Sequence, residues 1–199
     1  MKIAVIDYGI GNLRSAEKGL QRVGGDAALT NDASAIESAD AVVLPGVGAF
    51  GRCMEALRAT GLEEPARGAI AAGKPFLGIC VGMQMLYEGS EEDTGVPGMG
   101  VLAGKVRRLP EGVKCPQMQW NVLSGSSGSP MFAGFEPPVW VYFVHSYSPV
   151  TDEYVVATCD YGGPVVAAVQ RGNLWATQFH PEKSGAAGLQ LLANFVAAA

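Results

Sequence analysis

The sequence predicts an α/β fold: a mostly parallel central sheet with helices on both faces and antiparallel strands added in its C-terminal half. Three observations predict it. In the first half, short β-branched runs alternate with segments whose apolar residues recur at helical spacing, the pattern of strand–helix–strand crossovers. After Gly89, strand-like runs follow one another with turn residues between them rather than helices. Glycine supplies 27 of 199 residues, about twice the usual share, which implies many tight turns and close backbone approaches. With 48% hydrophobic and 17% charged residues, the chain can bury the core of one domain spanning residues 1–199.

The elements follow in order. "KIAVID" (2–7) reads as a strand ending at the turn signal Asp7-Tyr8-Gly9. Asn12 is placed to cap a helix whose apolar positions are Leu13, Ala16, Leu20 and Val23, with Gly24 or Gly25 as its stop. "DAALT" is a weak second strand, and "DAVVLPGVG" a third, broken by Pro45. Helices are expected over "FGRCMEALRATG" and "EEPARGAIAAG", then the strand "PFLGIC" and a helix "VGMQMLYEG". "GKVRRL", "PQMQWNVL", "VWVYFVHSY", "EYVVATC", "VVAAVQRG" and "LWATQFH" read as further strands, and "GSSGSP" (125–130) as a surface loop. The last helix, "GAAGLQLLANFVAAA", is expected to pack Leu189, Leu192 and Phe195.

Composition removes several classes of function. A net charge of −5 without any basic run argues against a nucleic-acid surface. No apolar stretch reaches the length of a membrane span, and "MKIAVIDYG" turns polar too soon for a signal peptide, so a cytoplasmic protein is expected. Cys53, Cys80, Cys115 and Cys159 match no CxxC zinc spacing, and two histidines supply a metal site poorly, so no metal and no disulfide are expected. Cys53, Cys115 and Cys159 read as packing residues. "DYGIGN" (7–12) places arginine where the dinucleotide fingerprint needs its last glycine, and no P-loop is present; no nucleotide cofactor is expected.

Gly78-Ile79-Cys80-Val81-Gly82 stands apart. G-x-C-x-G between a strand and a helix is the thiol version of the nucleophile elbow, in which glycines permit a strained turn and the nucleophile stands at its apex. The following helix would favour a thiolate at Cys80, and the Val81 N–H would supply half of an oxyanion hole. "PGVG" (45–48) ends the neighbouring strand and can turn the N–H of Val47 or Gly48 to the same oxyanion. A base is then required. His180 ends an apolar strand, and Glu182, two residues on, projects to the same side in extended chain, where it can fix the ring's tautomer. His145 in "YFVHSY" has no carboxylate nearby in sequence and takes a supporting role.

With these residues in view, the chain resembles the class I, triad-type glutamine amidotransferases, and among them the glutaminase subunits of imidazole glycerol phosphate synthase. "GIC-G-Q" and "HPE" carry the wider resemblance; "DYG-GN", "PGVGAF" and "YFVHSY" narrow it. It covers almost the whole chain. The resemblance implies a flavodoxin-like fold and a Cys80, His180 and Glu182 triad that hydrolyses glutamine through a γ-glutamyl thioester. It implies that Gln84 helps hold the substrate, that the backbone of Ser146 and Tyr147 meets its amino-acid end, and that "PGVG" reorients a peptide to complete the oxyanion hole of Val47 and Val81. Some two hundred residues are used up by such a core, so ammonia must pass to another subunit. The resemblance makes that partner a (βα)₈-barrel cyclase in a heterodimer. The cyclase forms imidazole glycerol phosphate and aminoimidazole carboxamide ribotide in histidine biosynthesis, and its own bound ligand wakes the glutaminase.

One segment departs from the family pattern. "PQMQWN" (116–121) stands where "PHMGWN" is common, so Gln117 replaces a histidine and Gln119 a glycine, in a segment expected near the partner and the active site. Asn12, Gln117 and Trp120 are expected on the partner-facing side of the crevice. Three alternatives compete: a glutaminase of the pyridoxal phosphate or anthranilate pathway, which "DYGIGN" and "PGVGAF" oppose; a non-catalytic relative, which the intact triad opposes; and a free-standing thiol hydrolase or peptidase, which would turn over alone.

Overall fold

The computed structural model describes residues 1–125 and 128–198. Its first half runs β1 (Lys2–Ile6), α1 (Leu13–Arg22), β2 (Asp26–Thr30), α2 (Ala33–Ser38), β3 (Ala41–Gly46), α3 (Phe50–Ala59), α4 (Glu63–Ala71), β4 (Phe76–Cys80) and α5 (Val81–Gln84). Strands then dominate: β5 (Gly89–Ser90), β6 (Asp93–Pro97), β7 (Lys105–Arg108), β8 (Gln117–Val122), β9 (Trp140–His145), β10 (Tyr147–Val150), β11 (Val155–Asp160), β12 (Pro164–Arg171) and β13 (Leu174–Thr177), before α6 (Gly185–Ala198). Of the expected loop at 125–130, Ser126 and Ser127 lie outside the described residues.

The central sheet has seven strands in the order β11-β12-β13-β4-β3-β1-β2. From β2 to β13 the neighbours are parallel, and β12 and β11 extend the sheet antiparallel. Every residue of β3 and β4 is buried, as near-continuous apolar runs covered on both faces must be. The crossover from β1 to β2 runs one way along the sheet and the crossover from β2 to β3 the other. Right-handed connections therefore put α1 and α2 on opposite faces. Accordingly α1 packs with α6, and α2 with α4. Ligand crevices of such sheets open at the carboxyl ends of the strands, near this reversal. Register places Gly46 beside Cys80, and Thr177 beside Ile79, so the ends of β3, β4 and β13 meet there.

Two smaller sheets build the walls. One has the order β10-β7-β5-β6, and the other pairs β8 with β9, with Gln117 opposite His145. The backbone N–H of His180 donates to the Tyr142 carbonyl at 3.0 Å, which docks the chain end after β13 onto β9.

Several expectations need correction. The helix after Cys80 is a single turn, because the carbonyls of Met85, Leu86 and Tyr87 accept from the amides of Met99, Gly100, Val101 and Leu102 instead of continuing a helix. Residues 33–38 form α2, an addition to the expected elements; only Ile36 is buried there, so no apolar period betrays it. β5 and β6 are additions too. In α6 it is Leu191, with Leu192 and Phe195, that is buried, while Leu189 is half-buried. Asn12 makes no side-chain cap on α1. In that helix Glu17 is buried beside the apolar positions: its Oε1 accepts from the Leu29 N–H at 3.0 Å, satisfying an amide of the edge strand β2.

Candidate active site

Cys80 closes β4 with φ +55° and ψ −112°, one of two non-glycine residues at positive φ among those described. Such a backbone costs of order 1–3 kcal/mol and persists only where the surroundings impose it. The flanking glycines show how they do so. A Cβ on Gly82 would run into the Leu44 carbonyl of β3, and one on Gly78 would meet the Gly82 carbonyl oxygen at 3.0 Å. The turn is wedged against β3, and the cysteine is lifted over the sheet's end.

The "PGVG" turn lies directly over this corner. A Cβ on Gly46 would sit 2.6 Å from the Gly82 nitrogen and 3.0 Å from the Val81 carbonyl carbon. Val47 and Val81 therefore line the same cleft with Cys80. The Cys53 thiol donates to the Val47 carbonyl at 3.2 Å, and the Tyr8 hydroxyl to the Pro45 carbonyl at 2.8 Å, so the turn is held from below. Burial pushes both the Tyr8 hydroxyl and the Cys53 thiol up from their ordinary values.

His180 faces Cys80 across the cleft. Its Nδ1 meets Glu182 Oε1 at 2.8 Å, and both side chains are 1% exposed. The expected route to this contact is an extended chain. Instead Pro181–Lys183 is a 3₁₀ turn, which curls Glu182 back beneath the ring, and the Ser184 hydroxyl donates to the His180 carbonyl at 2.6 Å to hold the turn. Burial alone would lower the value of His180, but its interactions with Cys80 and then Glu182 outweigh burial and push it up to about 10. Both partners favour a proton on the ring, and the pull of Cys80 grows with charge on its sulfur, so the two groups ionise as a pair. Among the described residues its buried Nε2 has no hydrogen-bond partner, because the Cys80 thiol points to the Val144 carbonyl at 4.0 Å.

Asn12, expected on the partner-facing side of the crevice, joins this arrangement by a contact outside that expectation, and Glu92 joins it unannounced. Asn12 donates from Nδ2 to the same Glu182 Oε1 at 3.0 Å, which is where the expected capping side chain goes. Glu92 lines the cleft and accepts from the Phe50 N–H at 2.8 Å, at the start of α3. No local pattern points to either; both contacts arise from segments remote in sequence.

Gln84, Ser146 and Tyr147 also line the cleft, which has a volume of about 480 Å³. Gln84 donates from Nε2 to the Tyr147 carbonyl at 2.9 Å and to Gln178 Oε1 at 3.0 Å. Both of its donors are spent, leaving Oε1 to meet a ligand. The Tyr147 carbonyl accepts from both Gln84 and the His145 ring and is fully used, whereas the Ser146 carbonyl accepts from the Leu109 N–H and keeps a second lone pair.

His145 lies behind this wall. Its Nδ1 meets the Tyr147 carbonyl at 2.9 Å and its Nε2 meets the Gln117 amide at 2.9 Å. Burial pushes it down to about 4, so the ring is neutral with its proton on Nδ1. Nε2 is then an acceptor, and the Gln117 amide turns its NH₂ toward it and its oxygen to the Cys159 thiol. Gln117 is fully buried, not on the outer face of the crevice as expected; Trp120 is 46% exposed.

Among the described residues no three His, Cys, Asp or Glu side chains converge as a metal cage, and no helix is long and apolar enough to cross a membrane. The four cysteines are unpaired.

The chain matches the family model described as glutamine amidotransferase class-I over residues 4–199. It is 50% identical to the imidazole glycerol phosphate synthase subunit HisH of Deinococcus radiodurans, with 98% of this chain and 92% of the relative covered. It is also 50% identical to the protein of that name from Methanothermobacter thermautotrophicus, with 98% and 97% covered. Among solved structures it overlays PurLQS from Thermotoga maritima with a TM-score of 0.76, 20% identity, and 98% and 97% coverage. A crystal structure of a glutamine amidotransferase gives a TM-score of 0.73, 22% identity, and 98% coverage of each chain. These two likenesses establish the shared fold.

Proposed function

From a chain that belongs to the class I glutamine amidotransferase family and, within it, to the HisH subunits of imidazole glycerol phosphate synthase, we propose that Cys80, His180 and Glu182 perform the hydrolysis of glutamine. The protein is an enzyme, the glutaminase subunit of histidine biosynthesis. On this reading residues 1–199 form one glutaminase domain.

The chemistry follows from the charge state. With His180 protonated, Cys80 acts as thiolate and attacks the carboxamide carbon of glutamine. The oxyanion that develops falls to the N–H groups of Val47 and Val81. As the tetrahedral adduct collapses, His180 Nε2 gives its proton to the departing nitrogen, and ammonia leaves a γ-glutamyl thioester. The now neutral ring takes a proton from water, hydroxide attacks the thioester, and thiolate is expelled with glutamate. Glu182, held by Asn12, keeps the ring oriented and supports its charge. Gln84 Oε1 accepts from the substrate, Ser146 and Tyr147 form the backbone wall at its amino-acid end, and Glu92 supplies the negative charge that an α-ammonium group requires. No cofactor enters these steps.

The ammonia goes to a (βα)₈-barrel cyclase, with which the chain forms a cytoplasmic heterodimer. The β8–β9 ribbon offers the apolar surface for it: Met118, Trp120 and Trp140 are 62%, 46% and 51% exposed. Such a cluster beside a cleft is the usual mark of a protein interface.

The observation that carries the reading is the 2.8 Å His180–Glu182 contact opposite a cysteine at positive φ. The test is glutamate release from glutamine by the chain alone, then with the cyclase and the cyclase's nucleotide ligand. A large rise in the full mixture is expected. Absence of glutamate in every mixture sinks the assignment, and a high rate unmoved by the cyclase sinks the partner.

A further inference from the structure

We infer that Gln178 is a positioning residue that holds the Cys80 sulfur as the nucleophilic anion, by a donor whose direction the backbone fixes. The inference rests on the proposed role of Cys80, and it gives Gln178 a part in the reaction that the triad alone does not.

Gln178 is fully buried beneath the cleft, just past β13. Its backbone N–H donates to the Ala167 carbonyl of β12 at 2.8 Å, which anchors it to the sheet. Its side chain bridges Gln84 and Cys80: Oε1 accepts from Gln84 at 3.0 Å, and Nε2 donates to Cys80 Sγ at 3.7 Å. An amide can in principle turn over and present oxygen to the sulfur. Here it cannot. The Tyr147 carbonyl has no hydrogen to give, so Gln84 must offer it Nε2. That nitrogen accepts nothing, so its second hydrogen must find Gln178 Oε1, and Gln178 is left with only N–H facing the sulfur. A backbone carbonyl thus sets the polarity of two amides in series.

The consequence is an N–H aimed at a sulfur whose residue is only 3% exposed. A hydrogen bond to the charged form of an acid favours that form, and bonds to ions are stronger than neutral ones. This answers a need that the fold creates: α5 is one turn long, too short to supply the helix field expected from the sequence. The other titratable groups facing the sulfur are His180 after β13, Tyr8 after β1 and Cys53 on α3, with Glu182 behind His180.

Peptide-resolved alkylation of Cys80 by iodoacetamide across pH tests the inference without glutamine or the partner. In Gln178→Met, of similar length and without a donor, the alkylation midpoint is expected to rise by about one pH unit, a tenfold loss of thiolate near neutrality. Glutaminase kcat, measured with the liganded cyclase, should fall by a similar factor. Gln84→Met removes the donor that fixes the direction of the Gln178 amide; it should raise KM for glutamine and also raise the midpoint. An unmoved midpoint in a folded Gln178→Met overturns the inference, and so does an unmoved midpoint in a folded Gln84→Met, which would show that the direction of the amide does not matter to the sulfur. Should Gln178→Met fail to fold, Gln178→Leu is read by the same midpoint. Failure of the glutaminase assignment shows differently, as wild-type protein that releases no glutamate at all.

Discussion

Asn12 and Glu182, separated by 170 positions in the chain, are joined by a 3.0 Å hydrogen bond from Nδ2 to Oε1, on the same oxygen that meets His180. One end of α1 is thereby tied to the carboxylate that orients the ring. Glu182 Oε2 is buried with no partner among the described residues, so Asn12 is its one neutral donor there.

Asn12→Ala is expected to lower kcat of the liganded complex about tenfold or more, the equivalent of losing a hydrogen bond to a charged group worth ~1.5–3 kcal/mol. Helix stability should change little, because the side chain does not cap α1. Asn12→Asp should be worse, since it sets a second carboxylate against Glu182. Steady-state glutaminase kinetics and thermal melts check both arms.

Glu182→Gln keeps an oxygen near His180 and removes the charge. His180 is raised above its ordinary value, so the stability it contributes is complete below about 6.5 and lost as pH rises through about 10. Leaving-group protonation has the same upper limit. The alkaline fall of kcat/KM should therefore move toward neutral pH in Glu182→Gln, and a profile that stays in place would separate the carboxylate from the proton of His180.

His145 runs the other way. Held down to about 4, it gives stability that is complete above about 6.5 and lost as pH falls through about 4, at a slope of up to ~1.4 kcal/mol per pH unit for one proton. Urea midpoints at descending pH should show this slope in the native chain and a flatter one in His145→Gln. Gln117→His should leave kinetics at neutral pH unchanged, because a neutral imidazole can give one N–H to His145 and accept from Cys159. It should steepen the acid slope, because two buried rings then face each other.

Cys80→Gly and Cys80→Ala are both expected to abolish glutamine hydrolysis, and to differ in stability in an unusual order. Alanine keeps a Cβ on a backbone at φ +55°, and glycine removes it, so the glycine variant is expected to be the more stable by about 1 kcal/mol. Elsewhere in a sheet the order is reversed. Denaturant unfolding of the two variants measures it.

Local chemistry makes part of this legible in the sequence. Gly78, Cys80 and Gly82 advertise their turn because the motif is local, even though Gly82 answers a steric demand from β3 while Gly78 answers one from Gly82. His180-Pro181-Glu182 places ring and carboxylate within one turn. β3 and β4 read easily as apolar runs. Gln178 does not, because a glutamine in a strand gains its meaning only from Gln84 and Tyr147 on other elements. Asn12 misleads for a related reason: its position before α1 fits a cap, and only the three-dimensional approach of Glu182 diverts the side chain. The length of α5 is lost to competition from residues 99–102 for its carbonyls, which no helical period records.

The register that sets Gly46 beside Cys80 and Thr177 beside Ile79 has a consequence for how the enzyme comes into being. β4 and β13 are neighbours in space but far apart along the chain, and closing so long a loop precedes any reward from the pairing. A nascent or partly refolded chain can complete β1 to β4 and still have no base opposite its thiol. Catalytic competence should therefore emerge with the docking of β13, later than the burial of the first four strands, so that recovery of glutamine hydrolysis times the final step of assembly.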